Sequence, residues 1–233
     1  MDIDKIKVVA FDADDTLWHN ERYFREAEDQ FAQLDGEYLP KEEAINVLFS
    51  HEMKHLAIYG YGIKGFVLSM VETAITISKD SISSQKIQQI LEIGRNMMNK
   101  PVELLDGVER VFEALKTDYR LILATKGDLI DQERKLNKSG LEHHFHHIEV
   151  MSEKKEADYK RLIGHLDIEA HEFLMIGNSM KSDIVPVLNI GGNAIHIPHE
   201  ITWQHEIVDK EDIKEHNFLT LDKVTSILPH LKK

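Results

Sequence analysis

Residues 8–17 contain the densest set of side chains that could do chemistry. Asp12 and Asp14 are separated by one residue and follow an apolar segment, with Asp15 and Thr16 directly after them. Ionised carboxylates can attack an electrophile, exchange protons with a substrate or bind a hard cation through oxygen. An Asp-rich turn can equally be a capped loop with no catalytic role. The acidic pair therefore indicates a site only if suitable partners occur elsewhere in the chain.

Such partners follow three later apolar segments, at residues 120–124, 147–150 and 172–176. They are Thr125, Lys126, Gly127 and Asp128 after the first, Ser152, Lys154 and Lys155 after the second, and Gly177, Asn178, Ser179 and Asp183 after the third. In open parallel sheets the active site lies at the carboxyl ends of the strands, so we expect these groups to share one edge. A carboxylate nucleophile, cations and hydroxyls at one edge are what phosphoryl transfer requires.

The spacing of apolar residues predicts the elements that position these groups. Residues 7–11 are typical of a strand buried on both faces of a parallel sheet. Beyond residue 101, strand and helix patterns alternate. We predict helices at 107–116, 128–138, 157–166 and 181–188, strands at 120–124, 147–150, 172–176 and 193–197, and a last strand and helix within 217–231. Repeated βα units predict an α/β fold with a doubly wound, Rossmann-like parallel sheet.

The block between the first two strands has a different pattern. Apolar residues spaced by three and four predict four helices, at residues 21–31, 41–51, 65–77 and 84–98. Ser83 or Ser84 is the expected N-cap of the last of them. We therefore predict an α/β core domain formed by residues 1–17 and 102–233, with an all-helical cap domain, residues 18–101, inserted after the first strand.

The overall composition excludes several classes of binding partner and of chemical site. The 233 residues include 41 acidic and 28 basic side chains, and the net charge of −13 argues against nucleic acid polymers and anionic membranes as main partners. The absence of cysteine excludes disulfides, thiolate-bound metals and a cysteine nucleophile. The charged N-terminus and the lack of an apolar run of about 20 residues favour a cytoplasmic protein without a membrane partner. The oligomeric state stays open.

The motifs together carry a family resemblance. Asp12-Ala13-Asp14-Asp15-Thr16, Thr125 after a strand, Lys154, and Gly177-Asn178-Ser179 with Asp183 resemble the haloacid dehalogenase superfamily. The order, the spacing and the inserted helical block are similar to its phosphatases with a cap after the first strand, over nearly the whole chain. The resemblance implies that Asp12 is the nucleophile, which forms an aspartyl-phosphate. It implies that Asp14 is first the general acid and then the general base.

The resemblance also implies the remaining site residues. Thr125 and Lys154 would contact the phosphate oxygens, with Lys155 as the alternative to Lys154. Asp12, Asp183 and the backbone carbonyl of Asp14 would hold Mg2+. Many members have an aspartate where this chain has Asn178, so the predicted metal site carries one negative charge fewer.

The predicted substrate is a small phosphorylated metabolite. We expect the substrate to be contacted by Thr125 and Lys154 and also by Lys126, Trp18, His19 and Lys64. The aromatic side chains could instead pack in the interior of the cap. The dehalogenases of the superfamily lack the second aspartate, so Asp14 favours a phosphatase over a 2-haloacid dehalogenase. A receiver-like phosphoacceptor domain uses similar residue types in a different order and has no counterpart of the inserted helices.

A cluster of four histidines, His143, His144, His146 and His147, flanks a predicted helix end without supporting carboxylates. We therefore do not expect a functional metal there. Gly191 and Gly192 could suggest a phosphate cradle, but they lie between a helix and a strand. A helix-ending turn is the better interpretation of that pair.

Overall fold

The computed structural model describes residues 2–34, 36, 38–208 and 218–231. Within them, the strands form one parallel sheet in the order β3-β2-β1-β4-β5-β6. The strands are β1 (Val8–Phe11), β2 (Arg120–Lys126), β3 (His147–Met151), β4 (Phe173–Gly177), β5 (Asn193–His196) and β6 (Leu219–Thr220). The predicted α/β fold with a parallel sheet is confirmed. Asn217, where the last predicted strand could begin, lies outside the described residues.

Nine α-helices occur in the same described residues. They are α1 (Glu21–Leu34), α2 (Lys41–Tyr59), α3 (Ile63–Ile77), α4 (Ser84–Asn99), α5 (Val108–Leu115), α6 (Leu129–Ser139), α7 (Glu156–His165), α8 (Val185–Asn189) and α9 (Leu228–Leu231). The Ser83 hydroxyl accepts a hydrogen bond from the Lys86 amide, at 3.3 Å, which confirms the predicted cap of α4. Helix α2 continues well past the predicted end at residue 51 and stops at Gly60, whose φ is 70°.

The helix predicted from residue 181 begins differently. Met180–Ile184 form a single π-helical turn before α8. Pro186 has no amide hydrogen to give to the carbonyl of Ser182, and that carbonyl accepts a hydrogen bond from the Tyr159 hydroxyl instead, at 2.9 Å. Such π-helical turns are frequent at functional sites, and this one carries Asp183.

Both faces of the sheet are buried, as the apolar strand sequences require. In β1, Val9 and Phe11 pack in one core cluster with Phe112 of α5. Val8 and Ala10 pack in a second cluster with Leu162 of α7. Because successive side chains of a strand point to opposite faces, helices cover both sides of the sheet.

The strand register sets which residues meet at the carboxyl edge. Phe11, the last residue of β1, pairs with Leu123 of β2 and with Ile176 of β4. The amide of Asp12 then donates to the carbonyl of Ile176 at 2.9 Å. Asp12 therefore leaves the sheet between the ends of β2 and β4.

The chain divides into two compact units. The sheet unit comprises Met1–Glu21, Val102–Lys126 and Gln132–Lys233, and the helical unit comprises Arg22–Pro101 and Gly127–Asp131. Phe31, Met70 and Ile90 are fully buried in the apolar core of the helical unit. Trp18, predicted to be the first residue of the inserted domain, is fully buried in the core of the sheet unit.

No helix among the described residues is both long and apolar enough to cross a lipid bilayer.

Candidate active site

A buried ion cluster lies at the carboxyl edge of the sheet. The Lys154 ammonium is 2.5 Å from Asp12 Oδ1 and 2.7 Å from Asp183 Oδ1. The side chains of Lys154 and Asp183 are each 1% exposed. The neighbouring Lys155 has 73% of its side chain exposed and lies near Glu153. The structure thus places Lys154, and not Lys155, beside the first aspartate.

The cluster holds two carboxylates and one ammonium. Burial raises the pKa of Asp12 to about 7, and although Lys154 opposes this effect, Asp183 adds to it. Burial works against the charge of Lys154, yet the two carboxylates outweigh burial and raise the pKa of the ammonium. One lysine cannot balance both aspartates, so an added cation would favour the ionised form of Asp12.

Asp183 is positioned by the π-helical turn. Its Oδ2 accepts a hydrogen bond from the Ser179 amide at 2.9 Å, and its own amide donates to the Ser179 carbonyl at 2.8 Å. Gly177, the last residue of β4, leaves room for this carboxylate. A Cβ on Gly177 would lie 2.2 Å from Asp183 Oδ2 and 2.4 Å from Cγ.

Gly177→Ala is therefore expected to lower the free energy of unfolding by about 1 to 3 kcal/mol, the usual cost of overpacking a filled core. Gly164→Ala is the matched control, because it lies in α7 and a Cβ there has no atom within 4 Å. In urea denaturation the control should keep or slightly raise the stability, since alanine favours a helix over glycine. Equal stability of the two variants would contradict the close packing of Asp183 against Gly177.

Asp14 is held by three side chains of the sheet unit. The Lys135 ammonium is 2.6 Å from both carboxylate oxygens, and Gln132 Nε2 is 2.9 Å from Oδ2. The indole N–H of Trp18 donates to Oδ1 at 2.7 Å. The predicted substrate-facing role of Trp18 needs correction, because its fully buried ring packs in the core and its polar atom contacts Asp14. Trp18 therefore positions Asp14.

Sequence reasoning missed Lys135 and Gln132. Both lie on α6, three residues apart and so on one face of the helix. That spacing was visible in the sequence, but it does not indicate that this face meets Asp14.

The rest of the loop after β1 orients the aspartates. Asp15 accepts hydrogen bonds from the amides of Asn20, at 2.8 Å, and Glu21, at 2.9 Å, so it holds the loop together. The Thr16 hydroxyl lies 3.1 Å from Asp12 Oδ2 and 3.2 Å from Asn178 Oδ1. A hydroxyl has one proton for these two acceptors. When the amide of Asn178 is turned so that its nitrogen faces Thr16, Asn178 donates to the Thr16 hydroxyl. The Thr16 hydroxyl then donates its one proton to Asp12.

Thr125 ends the buried part of β2 with an unsatisfied hydroxyl. The residue is 1% exposed, and its Oγ1 has no hydrogen-bond partner in the described part of the chain. A buried hydroxyl without a partner costs about 1 to 3 kcal/mol. An anionic ligand oxygen at this position would satisfy it.

Lys126 is placed differently from Thr125. Its ammonium is 2.6 Å from Glu206 Oε1 and 3.0 Å from the Ser182 hydroxyl, so its charge is balanced within the sheet unit. Burial opposes the ionisation of Glu206, but Lys126 and the hydroxyls of Ser179 and Ser182 outweigh burial and lower the pKa of that carboxyl to about 2. Glu206 follows β5 at a position with no sequence signal.

Two other predicted residues also have protein partners. In the helical unit, the Lys64 ammonium is 2.9 and 3.0 Å from the two carboxylate oxygens of Asp128. In the sheet unit, His19 lies near His199, with 5.8 Å between the ring centroids.

Three of the four clustered histidines make local contacts within the sheet unit. His143 Nδ1 lies 2.9 Å from the carbonyl of Gly140, and the ring of His144 packs against Phe112. His147 Nε2 lies 2.9 Å from Glu149 Oε2.

Comparison with known proteins identifies the family. The family model described as haloacid dehalogenase-like hydrolase matches residues 6–191, which include all of the buried ion cluster. The chain belongs to the haloacid dehalogenase-like hydrolases. It is therefore a hydrolase, and the resemblance noted in the sequence is confirmed at the level of the superfamily.

Several relatives of this hydrolase are known. A haloacid dehalogenase-like family hydrolase from Xanthomonas campestris is 39% identical, with a TM-score of 0.85 over 97% of this chain and 91% of that chain. The N-acylneuraminate-9-phosphatases of Mus musculus and Homo sapiens are 26% and 24% identical over 204 residues, covering 82% of each sequence. The HAD hydrolase YfnB from Bacillus subtilis, whose structure contains magnesium, is 15% identical with a TM-score of 0.68 over 97% and 98% of the two chains, so the likeness shows the fold alone.

The donor atoms of this hydrolase fit a hard divalent cation. Asp12 and Asp183 offer carboxylate oxygens, which are the ligands that Mg2+ prefers. They are buried side by side with a single ammonium between them, so the cluster has one unbalanced negative charge when both are ionised. A divalent cation would reverse this imbalance and stabilise the ionised form of both.

Proposed function

We propose that this hydrolase is a Mg2+-dependent phosphatase, which cleaves a small phosphate monoester in the cytoplasm through an aspartyl-phosphate. The observation that supports it best is the pair of carboxylates with different surroundings. Asp12 is buried against Lys154, whereas Asp14 is half-buried and faces Lys135. Two carboxyl groups in different environments are the usual basis for one nucleophile and one acid/base.

In the first half of the reaction a carboxylate oxygen of Asp12 attacks phosphorus, and the bond from phosphorus to the ester oxygen breaks. Asp14 gives its proton to the leaving oxygen, which departs as an alcohol. Lys154 and the Thr125 hydroxyl contact the non-bridging oxygens, whose charge grows as the bond breaks. These contacts would give Thr125 Oγ1 its missing partner.

In the second half a water molecule attacks phosphorus of the aspartyl-phosphate. Asp14 takes the proton from this water, and the bond from phosphorus to Asp12 breaks to release phosphate and restore the carboxylate. The Lys135 ammonium, Gln132 and Trp18 all donate hydrogen bonds to Asp14, and these contacts position its oxygens to accept that proton. For the first half, Asp14 must carry a proton, and the contact with Lys135 must then loosen.

Mg2+, held by Asp12, Asp183 and the carbonyl of Asp14, would offset the repulsion between the phosphate and the carboxylate nucleophile. We also propose that residues 18–101 act as a cap that admits substrate and excludes water.

The direct test is phosphate release from a panel of phosphorylated metabolites with Mg2+ and with a chelator. The panel should include N-acylneuraminate 9-phosphate, because relatives with 24 to 26% identity carry that activity in their names. We expect Mg2+-dependent release from at least one ester. If no ester is hydrolysed while a 2-haloacid loses its halide, the dehalogenase alternative replaces the phosphatase.

Asp14→Asn provides a sharper prediction. An aryl phosphate has a leaving group that departs without a proton, so this variant should form the aspartyl-phosphate and then stall for lack of a base. We expect a burst of about one phenol per active site followed by slow turnover. An alkyl phosphate, whose alkoxide needs the proton, should give no burst. Stopped-flow absorbance and product assays measure both, and steady turnover at the wild-type rate on the alkyl ester would contradict the role of Asp14.

A further inference from the structure

A second group of ligand atoms lies in the sheet unit, outside the buried ion cluster. In the described part of the chain, Asp15, His19 and His199 are the one group of three or more carboxylate or imidazole ligands whose atoms lie within 4.8 Å of one another. Asp15 and His19 belong to the loop after β1, and His199 follows β5. Neither the proposed mechanism nor the family match gives these three side chains a joint role.

The group has the burial and spacing of a built site. The side chains of Asp15 and His199 are 7% and 10% exposed, and His19 is half-buried. Asp15 Oδ1 and His199 Nε2 are 3.5 Å apart. Two ligands about 2.1 Å from a tetrahedral ion are separated by about 3.4 Å, so this pair is already spaced for a shared cation.

The hydrogen bonds of His199 indicate which nitrogen faces the site. His199 Nδ1 lies 3.1 Å from the carbonyl of Ile201 and 3.3 Å from the amide of the same residue. In the tautomer with the proton on Nδ1, Nδ1 donates to the Ile201 carbonyl and the lone pair of Nε2 is directed at the Asp15 carboxylate. In that tautomer two lone pairs face each other, and a cation between them would satisfy both. A ligating histidine typically gives its other N–H to a backbone carbonyl in this way.

The carboxylate is oriented as firmly as the imidazole. Both oxygens of Asp15 accept backbone amides, from Asn20 and Glu21, and this fixes the direction of its remaining lone pairs. Metal-ligating carboxylates are commonly held by such outer contacts.

We propose that Asp15, His19 and His199 form a site for a borderline divalent transition metal such as Zn2+, distinct from the oxygen-only site of Asp12 and Asp183. Two imidazoles select such ions over Mg2+, which prefers oxygen. Three protein ligands leave a fourth position for water. A bound ion would join the loop that carries Asp14 and Trp18 to the segment after β5. A proton shared between His199 and Asp15 is the competing occupant.

Co2+ tests the proposal, since four-coordinate Co2+ absorbs visible light far more strongly than six-coordinate Co2+. Wild-type protein, stripped of metal and then saturated with Mg2+ to fill the oxygen site, should develop an intense visible band with one equivalent of Co2+. His199→Gln and His19→Gln should each abolish the band. Each should also weaken Zn2+ binding, measured by chelator competition, by more than the 10- to 100-fold that loss of an outer-shell partner costs.

His143→Ala is the control, because His143 belongs to the other histidine cluster and its Nδ1 lies 2.9 Å from the backbone carbonyl of Gly140. The control should keep the band. A weak six-coordinate spectrum, a band that survives His199→Gln, or a band lost in His143→Ala would each overturn the proposal. If circular dichroism shows that His199→Gln does not fold, His19→Gln decides the result alone.

Discussion

Asp12→Asn is expected to lower kcat for phosphate-monoester hydrolysis by on the order of 10⁴-fold or more, the scale seen when a catalytic nucleophile is removed. An amide is a poor nucleophile, and its loss of charge also weakens the binding of the cation. Phosphate release at saturating Mg2+ measures the effect. Asp12→Asn activity within about tenfold of wild type would show that the attack on phosphorus does not come from this residue.

The same substitution is expected to raise the stability of the metal-free protein, although it lowers activity. Burial raises the pKa of Asp12 from 3.8 to about 7, so ionising this group costs the folded state more than the unfolded chain. That cost is absent below pH 3.8, grows between the two pKa values and is complete above pH 7. In metal-free protein, Asp12→Asn should therefore unfold at a higher urea concentration than wild type at pH 8, and the difference should vanish near pH 4.

Saturating Mg2+ is the control for this comparison. A bound cation stabilises the ionised wild type and should remove the advantage of the variant at pH 8. If the metal-free variant is less stable than wild type at pH 8, the contact of Asp12 with Lys154 outweighs the shortage of positive charge in the cluster. The loss of activity and the gain of stability together would identify Asp12 as a group kept for chemistry at the expense of stability.

The sheet and its functional edge could be predicted from the sequence because both depend on local patterns. Short apolar runs identified the strands, and the rule that parallel strands end at one edge predicted that Asp12, Lys154 and Asp183 would meet there. The fully buried strand β1 and the position of Thr125 at the end of β2 follow from the same two facts.

The partners of Asp14 could not be predicted in this way. Lys135 and Gln132 lie on a helix whose polar face reads as an ordinary solvated surface, and only the folded chain brings them to the carboxylate. Glu206 is similar, since its contact with Lys126 joins residues 80 positions apart in the sequence. Long-range polar pairs leave no periodic signal, whereas apolar faces do.

Trp18 shows the limit of reading a role from proximity. It follows the catalytic loop closely, which suggested a substrate contact, yet its large apolar ring packs in the sheet unit and only the indole N–H serves the site. Buried tryptophans commonly place the N–H against an acceptor, because burial of the apolar ring is favourable and the buried donor needs a hydrogen-bond partner.

Lys154→Met is expected to lower the free energy of unfolding of the metal-free protein by about 3 to 5 kcal/mol, the usual cost of removing one partner from a buried ion pair. Lys154 donates to both Asp12 and Asp183, so its removal leaves two buried carboxylates facing each other without a cation. Urea denaturation at pH 8 with a chelator measures the loss. Phosphate release should also fall sharply, since the ammonium would no longer contact the phosphate oxygens.

Lys155→Met is the matched control, because the substitution is the same and the position is adjacent, but the side chain is 73% exposed. Surface pairs contribute about 0 to 1 kcal/mol, so the control should behave almost as wild type in both assays. Adding Mg2+ distinguishes two causes of the stability loss, repulsion between carboxylates and loss of packing. A cation between Asp12 and Asp183 relieves the repulsion but does not restore the packing. We therefore expect Mg2+ to restore more stability to Lys154→Met than to Lys155→Met. Equal losses of stability and activity in the two variants would contradict the role of Lys154. A lysine that balances two buried carboxylates cannot be replaced as freely as a lysine in solvent.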